Sequence, residues 1–237
     1  IMLAAGKGTR FNKTRVGENI PKCIIVLDQV NSRTILEMNI ENIKHCKCIK
    51  YVDIVVGYKN RMIEQCIKNI STSSLRIAFK YNENYKDSVI ISVKKGFEEV
   101  RGESVLLING DTYFNKNIFM SACSMSLKGQ SGITLFGSIT NKYHNDDMLI
   151  DVSKGKIRNV GKCIDRYNGV SSGAILINEV ELIRYSNVLK SSNQCTHHGI
   201  LQEIIRQGGS VNFHDIGDKN WIEIDSELDL IKAKATL

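Results

Sequence analysis

The chain has 237 residues, 42% of them hydrophobic and 24% charged, a balance that excludes disorder, collagen-like repeats and low complexity. Lys and Arg number 32 against 25 Asp and Glu, a net charge of +7, yet the excess is basic towards residue 1 and acidic beyond residue 201, without the basic runs and interleaved aromatics that hold nucleic acid. No apolar run approaches the roughly 20 residues that cross a bilayer, and no charged leader precedes Ile1-Met2-Leu3, so the expectation is a cytoplasmic protein with neither a nucleic-acid nor a membrane partner.

Apolar, β-branched runs predict strands at 1–4, 52–56, 75–81, 104–108, 133–139, 172–177, 211–214 and 221–224. Between them, Ile35, Met38, Ile40 and Ile43 recur at helical spacing, as do Met62, Ile63, Cys66, Ile67 and Ile70. Asp87-Ser88 opens a further helix through Val93 and Phe97, and Ser226 with Asp229 makes a capping-box-like start to a last one. Segments 148–152 and 156–160 flank Lys154-Gly155 as a β-hairpin. Strands alternating with helices define an α/β fold, three layers around a mostly parallel but mixed sheet with a small hairpin excursion. Pro21 is the only proline and no Gly/Ser-rich linker interrupts the chain, so residues 1–237 read as one domain.

Seven cysteines, odd in number and scattered at 23, 46, 48, 66, 123, 163 and 195, imply no disulfide framework and are read as reduced thiols. His45-Cys46-Lys47-Cys48 lacks the second Cys pair of a zinc site, and His197-His198 reads as a solvated loop pair.

Ligands of open α/β sheets sit beyond the carboxyl ends of the strands, and three loops there carry chemistry. Gly6-Lys7-Gly8-Thr9-Arg10 follows the first strand. It lacks the spacing of a Walker A loop, and Phe11 stands at the third glycine of G-x-G-x-x-G. Its glycines still let backbone amides approach an anion, with Lys7 and Arg10 as fixed positive charges. Pro21-Lys22 closes the polar stretch beyond that loop, and Asn109-Gly110-Asp111 ends the apolar strand Leu106-Leu107-Ile108.

Leu3-Ala4-Ala5-Gly6-Lys7-Gly8-Thr9-Arg10, followed after ten residues by Pro21-Lys22, resembles the signature of the nucleotidyltransferases that activate sugar phosphates and related phosphorylated compounds with a nucleoside triphosphate. The resemblance implies a Rossmann-like nucleotidyltransferase fold, with the triphosphate wrapped by Gly6, Gly8, Arg10 and Lys22. Thr34-Ile35-Leu36-Glu37 resembles the start of the helix after the substrate loop, and Asp111 the metal-binding aspartate. Trp221-Ile222-Glu223-Ile224-Asp225 resembles most closely the cytidylyltransferases that activate phosphocholine or aminoalkylphosphonates, which makes Asp225 a second metal ligand; the alternative is a helix-cap carboxylate, and the metal reading is preferred because two acids on separate strand ends can converge. By the same resemblance Asn82, Ser88 or Ser92 lies at the base and ribose, and Lys162 and Glu223 at the acceptor. The aromatic and acidic cluster that holds trimethylammonium in several relatives is missing from Cys195-Thr196-His197-His198-Gly199, which argues against choline.

The expected activity is Mg²⁺-dependent transfer, with Mn²⁺ as substitute, from CTP to a small phosphorylated or phosphonylated acceptor of surface-polymer synthesis, by a monomer or homodimer. The catalytic residues would be Lys22, Arg10, Asp111 and Asp225, with Leu3 to Gly6, Lys7, Gly8, Thr9, Asn109 and Gly110 around the nucleotide. The alternatives are a sugar-1-phosphate enzyme using UTP, GTP or dTTP, a metal-dependent glycosyltransferase, and a non-catalytic nucleotide-binding subunit. The glycosyltransferase reading is weakened by Asp111-Thr112-Tyr113, where those enzymes carry Asp-x-Asp.

Overall fold

The computed structural model describes residues 1–8, 11, 20–68, 70, 75–129, 132–140, 142–144 and 146–236. Thr9 and Arg10 of the glycine loop lie outside the described residues. The elements run β1 Met2–Ala4, β2 Val26–Asp28, β3 Arg33–Thr34, α1 Ile35–Lys44, β4 Tyr51–Val56, α2 Asn60–Lys68, β5 Arg76–Tyr81, α3 Val89–Phe97, β6 Val105–Asn109, β7 Thr112–Phe114 and α4 Lys116–Leu127. They continue with β8 Ile133–Ile139, β9 Leu149–Ser153, β10 Lys156–Gly161, β11 Gly169–Ile177, α5 Leu182–Ser191, α6 His197–Arg206, β12 Val211–Asp215, β13 Trp221–Glu223 and α7 Glu227–Thr236.

The period-2 alternation of a strand buried on both faces is visible in β1. Met2 and Ala4 enter a core beneath α1, α2 and α4 with Leu36, Ile40, Ile63 and Phe119. Leu3 and Ala5 enter the opposite core beneath α3, α5 and α6 with Val93, Phe97, Tyr185 and Ile200. These two cores make the three layers expected of an α/β sheet.

The main sheet has the order β5-β4-β1-β6-β11-β8-β12-β10-β9. Strands β5, β4, β1 and β6 are parallel, as are β8 and β12, while β11 runs antiparallel to β6 and β8. The mixed sheet matches the expectation, and so does the β9–β10 hairpin, whose turn residues Lys154 and Gly155 both have positive φ (51° and 72°).

Helix α1 holds strand β7 in place through two local devices. Thr34 and Glu37 form a capping box that starts the helix: Glu37 N–H donates to the Thr34 hydroxyl at 3.2 Å and Thr34 N–H to the Glu37 carboxylate at 2.8 Å. From its buried face, Asn39 donates to Thr112 O (2.8 Å) and accepts from Phe114 N–H (2.9 Å), which clamps β7. Strand β7 pairs with β13 in a small antiparallel ribbon that sets Glu223 opposite Thr112. A third core, Phe11, Ile25, Leu27, Ile35, Tyr113, Ile224 and Leu230, seals the ribbon under α7.

Two expectations are corrected. Cys48, in the turn after α1, and Cys123, on α4, form a disulfide across 75 residues of sequence; the pairing follows from the packing of α1 beside α4 and leaves no mark in the spacing. His197 and His198 are not a solvated pair. They are the first two residues of α6 and are 5% and 6% exposed, because Thr196 caps the helix and turns them inward. The disulfide predicts that thiol titration of the denatured, unreduced chain finds five cysteines, and seven after reduction. Seven without reduction would show that Cys48 and Cys123 are not joined.

Candidate active site

The carboxyl ends of β1 and β6 open into a cavity of about 350 Å³, lined among others by Ala4, Gly6, Gly8, Lys22, Asn109, Asp111, Glu223 and Asp225. A larger hollow of about 580 Å³ lies by the first residues of β4 and β6, beside Cys48 and Cys123. Its lining includes Lys50, Asp53, Glu103 and Glu179, but it lies at the amino ends of the strands, whereas open sheets bind ligands at the carboxyl edge.

Lys22 begins a single 3-10 turn, Lys22–Ile24, fixed by Pro21 at φ −61°. It is 7% exposed. Its ammonium donates to Asp111 Oδ2 at 3.4 Å and, in a shorter contact, to Asp225 Oδ1. Burial works against the ammonium, but the negative charges of Asp111, Asp225 and Glu223 outweigh it and hold its pKa above the ordinary lysine value. Gly8, at φ 60°, is required by this arrangement: a Cβ there would stand 2.8 Å from Lys22 Cγ. Gly110 is required as well, since its Cβ would stand 2.8 Å from Leu3 O where β1 and β6 meet.

Asp225 follows β13, and the cap of α7 is made by its neighbours. Asp229 accepts from Ser226 N–H and hydroxyl at 2.8 and 2.7 Å, and Ser226 Oγ accepts from Asp229 N–H at 3.2 Å. The Asp225 carboxylate accepts from Lys22, while the cap bonds of α7 run between Ser226 and Asp229. Glu223 sits on the same ribbon. Burial, then the like charges of Asp111 and Asp225, push its carboxyl up to about 8, with Lys22 opposing.

The remaining sequence-derived residues divide. Leu3, Ala4, Ala5, Gly6, Gly8, Ser92 and Asn109 line the cavity with the charged group. Asn82 is buried behind it, bonded through Nδ2 to Ser92 Oγ at 2.8 Å. Ser88 caps α3 and donates to Cys195 O at 2.8 Å. Lys162 pairs with Asp146 at 3.5 Å on an exposed surface and is not part of the lining.

Sequence reasoning passed over Tyr85, Val89 and His197, all of which line the cavity. Tyr85 adds an aromatic residue to the lining from the turn before α3. His197 has both ring nitrogens buried and without a hydrogen-bond partner among the described residues, an arrangement that costs about 1–3 kcal/mol for each group left unsatisfied. No spacing in the sequence marks it, because its placement depends on α6 packing against α3.

The fold is that of several solved nucleotidyltransferases. The inositol-1-phosphate CTP transferase of T. maritima is similar with a TM-score of 0.77 at 20% identity, over 99% of this chain and 94% of that one. The CTP:phosphocholine cytidylyltransferase LicC of Streptococcus pneumoniae gives 0.74 at 21% identity, over 99% and 96%. A putative glucose-1-phosphate thymidylyltransferase of Bacillus anthracis gives 0.80 at 12% identity, over 99% and 92%. Among curated sequences, the bifunctional protein GlmU of Vesicomyosocius okutanii is 28% identical over 200 residues, 81% of this chain. The chain spans about 40% of the length of that relative. No protein-family model matches the chain.

The raised pKa of Glu223 has a defined effect on the metal-free protein. Folded Glu223 keeps a proton that the unfolded chain releases above about pH 4.5, so this group's stabilisation is lost as pH rises through 8. His197 and His198, whose pKa values are lowered by burial, act oppositely below about pH 6.5. Denaturant unfolding in EDTA between pH 6.5 and 8 should therefore show wild type losing stability relative to Glu223→Gln. Parallel profiles would mean that Glu223 titrates in the ordinary carboxylate range.

Proposed function

We propose that residues 1–237 form one nucleotidyltransferase unit that couples a nucleoside triphosphate, CTP first, to a small phosphorylated or phosphonylated acceptor and releases pyrophosphate. One observation carries this reading: a buried lysine ammonium held between two aspartates from separate strand ends, beside a glycine loop, at the carboxyl edge of a sheet with this fold. The CTP-dependent activities named for two of the structural neighbours support the choice of nucleotide. The thymidylyltransferase and GlmU support the alternative, a sugar 1-phosphate joined to UTP, GTP or dTTP, with the same machinery.

In the reaction, an acceptor phosphate oxygen attacks the α-phosphorus. The new P–O bond forms as the bond to the β-phosphate oxygen breaks, and pyrophosphate leaves with that electron pair. The attacking oxygen is already ionised near neutral pH, so the protein need not remove a proton and catalysis rests on position and charge. Lys22, whose stem is packed against Gly8, neutralises charge growing on the α-phosphate. The amides of Gly6 and Gly8, with Lys7, Thr9 and Arg10, hold the leaving phosphates. Asn109, Gly110 and the Leu3 to Ala5 strand end face the nucleoside, with Asn82 and Ser88 supporting that wall from behind. Glu223 is a candidate to bind the acceptor, and Lys162 a candidate for its phosphate.

The donor set fits a hard cation. Asp111, Glu223 and Asp225 place three carboxyl groups against one ammonium, and burial, then the like charges of Asp111 and Asp225, raises the pKa of Glu223. Among the described residues no three His, Cys, Asp or Glu side chains form a complete cage, and Mg²⁺ characteristically takes one or two carboxylates and completes its shell with phosphate oxygens and water. Asp111 and Asp225 would hold Mg²⁺, or Mn²⁺ in its place, and the ion would supply Lewis-acid neutralisation of the phosphate oxygens.

Lys22→Ala, Asp111→Asn and Asp225→Asn should each lower kcat by at least about a hundredfold in protein that circular dichroism shows to be folded. EDTA should abolish turnover and Mg²⁺ or Mn²⁺ restore it. Near-normal turnover in any variant removes that residue from the mechanism, and activity without metal removes the ion. For the substrates, pyrophosphate release across four triphosphates should rank CTP with a small phosphate or phosphonate first by kcat/KM. If UTP, GTP or dTTP with a hexose 1-phosphate ranks first, the sugar-nucleotide reading replaces it.

A further inference from the structure

The strand that brings Asp225 to Lys22 is itself held between two helices. Asn39 and Asn42 of α1 bond the backbone of β7 at Thr112 O, Phe114 N–H and Phe114 O, at 2.8, 2.9 and 2.8 Å. At its other end β7 leads through Asn115, the cap of α4, directly into that helix. The Cys48–Cys123 disulfide ties the same two helices together, from the turn after α1 to a point on α4. Strand β7 then pairs with β13, Trp221 opposite Phe114 and Glu223 opposite Thr112, and Asp225 follows β13.

The bridge is open to chemistry. Cys48 is exposed and Cys123 half-buried, and both line the hollow of about 580 Å³ by the first residues of β4 and β6. Disulfide exchange requires a thiolate to reach one of the sulfurs, and that condition is met here. The core beneath holds α1 and α4 side by side without the bridge, since Ile43 and Cys46 share it with Phe114, Ile118, Phe119 and Ala122. Apolar contacts are non-directional and tolerate a small slide of one helix past the other. Because β7 is hydrogen-bonded to α1 and continuous with α4, such a slide is taken up at the Asn39 and Asn42 bonds.

We infer that Cys48 and Cys123 form a reversible redox switch: closed, the disulfide braces β7 between α1 and α4, and opened, it loosens the β7–β13 ribbon and with it Glu223 and Asp225. Opening consumes a dithiol. One of its thiolates attacks a sulfur of the bridge, and the S–S bond breaks with its electron pair leaving on the other cysteine. The second thiol of the reductant then displaces the mixed disulfide. Cys48 and Cys123 end as thiols, having gained two electrons and two protons, and the dithiol leaves as its own disulfide. Closing is the same exchange in reverse, with a disulfide as the oxidant.

Trp221, the only tryptophan of the chain, stands on β13 opposite Phe114 and reports on the ribbon directly. The full chain is compared oxidised, reduced with dithiothreitol and reoxidised with oxidised glutathione, beside a Cys48→Ser/Cys123→Ser variant. Reduction should shift the Trp221 emission and speed amide hydrogen exchange about fivefold or more in segments 112–115 and 221–225, while the β9–β10 hairpin holds within about twofold. Reoxidation should reverse both changes. The variant should match reduced wild type and ignore the reductant, which separates the bridge from the five other cysteines. In the transfer reading, on which the turnover readout rests, opening the bridge should raise the Mg²⁺ concentration for half-maximal turnover about threefold or more. A bridge that native protein keeps against millimolar dithiothreitol, a ribbon unchanged by its reduction, or exchange that rises evenly over all strands overturns the inference. Local loosening that leaves the Mg²⁺ dependence of an active enzyme unmoved overturns the link to Asp225. Local, reversible loosening in a chain that transfers no nucleotide overturns only the transfer reading.

Discussion

A lysine ammonium taken out of water survives as a cation only where other groups replace its hydration. Lys22 meets that condition with carboxylates 89 and 203 residues away along the chain. Asp111 reaches it because β6 pairs in parallel with β1 and ends in Gly110, which alone permits the close approach to Leu3. Asp225 reaches it because β13 pairs with β7, and β7 is held by Asn39. Removing one partner of a buried ion pair costs about 3–5 kcal/mol; here the loss should be smaller, since both aspartates keep partial contact with water. The ion pair is consequently more a convergence point than a source of stability, and the closeness of its three groups reports that the whole carboxyl edge is in place.

Where the amino-acid pattern is periodic, the fold is readable from it. Strands β1, β4, β5, β6, β8 and β12 carry enough apolar residues to show themselves, and the α1 stripe and the Lys154-Gly155 turn point to their elements directly. Strands β2, β3 and β7, of two or three residues each, are not among the strands the pattern predicts, although β1 and β13 are as short. Yet β7 is the strand that brings Glu223 and Asp225 to Asp111. The disulfide and the buried histidine pair are invisible for a related reason: each depends on which helices lie side by side, a property of the assembled layers rather than of local spacing.

The candidate site divides along the same line. Gly8, Lys22, Asp111 and Asp225 stand out because glycine, proline and acidic residues at strand ends have few local explanations. Asp225 shows how a bland reading can be tested structurally: the cap it could have formed is made by Ser226 and Asp229, and its carboxylate accepts from Lys22. Tyr85 and His197 have ordinary local explanations, a turn aromatic and a helix start, and only the assembled fold brings them into the cavity lining.

The charge balance of the resting cluster bears on which form of a triphosphate such a site would accept. One ammonium faces three carboxyl groups, and burial together with the like charges of Asp111 and Asp225 raises the pKa of Glu223. A bare triphosphate entering here would add negative charge beside Asp111 and Asp225 in a partly desolvated cavity, where like charges repel far more than in water. A triphosphate that arrives with a divalent cation reverses the sign of that encounter. The carboxylates then gain a counter-ion, and Lys22 is left to a phosphate oxygen in place of the aspartates that hold it in the resting state. Within the proposed function, the acidic side of the cavity therefore selects the metal-complexed nucleotide, while the glycine loop and Lys22 supply the complementary positive side. Neither half suffices alone, because the lysine without the acids would bind any anion and the acids without the lysine would bind only the cation.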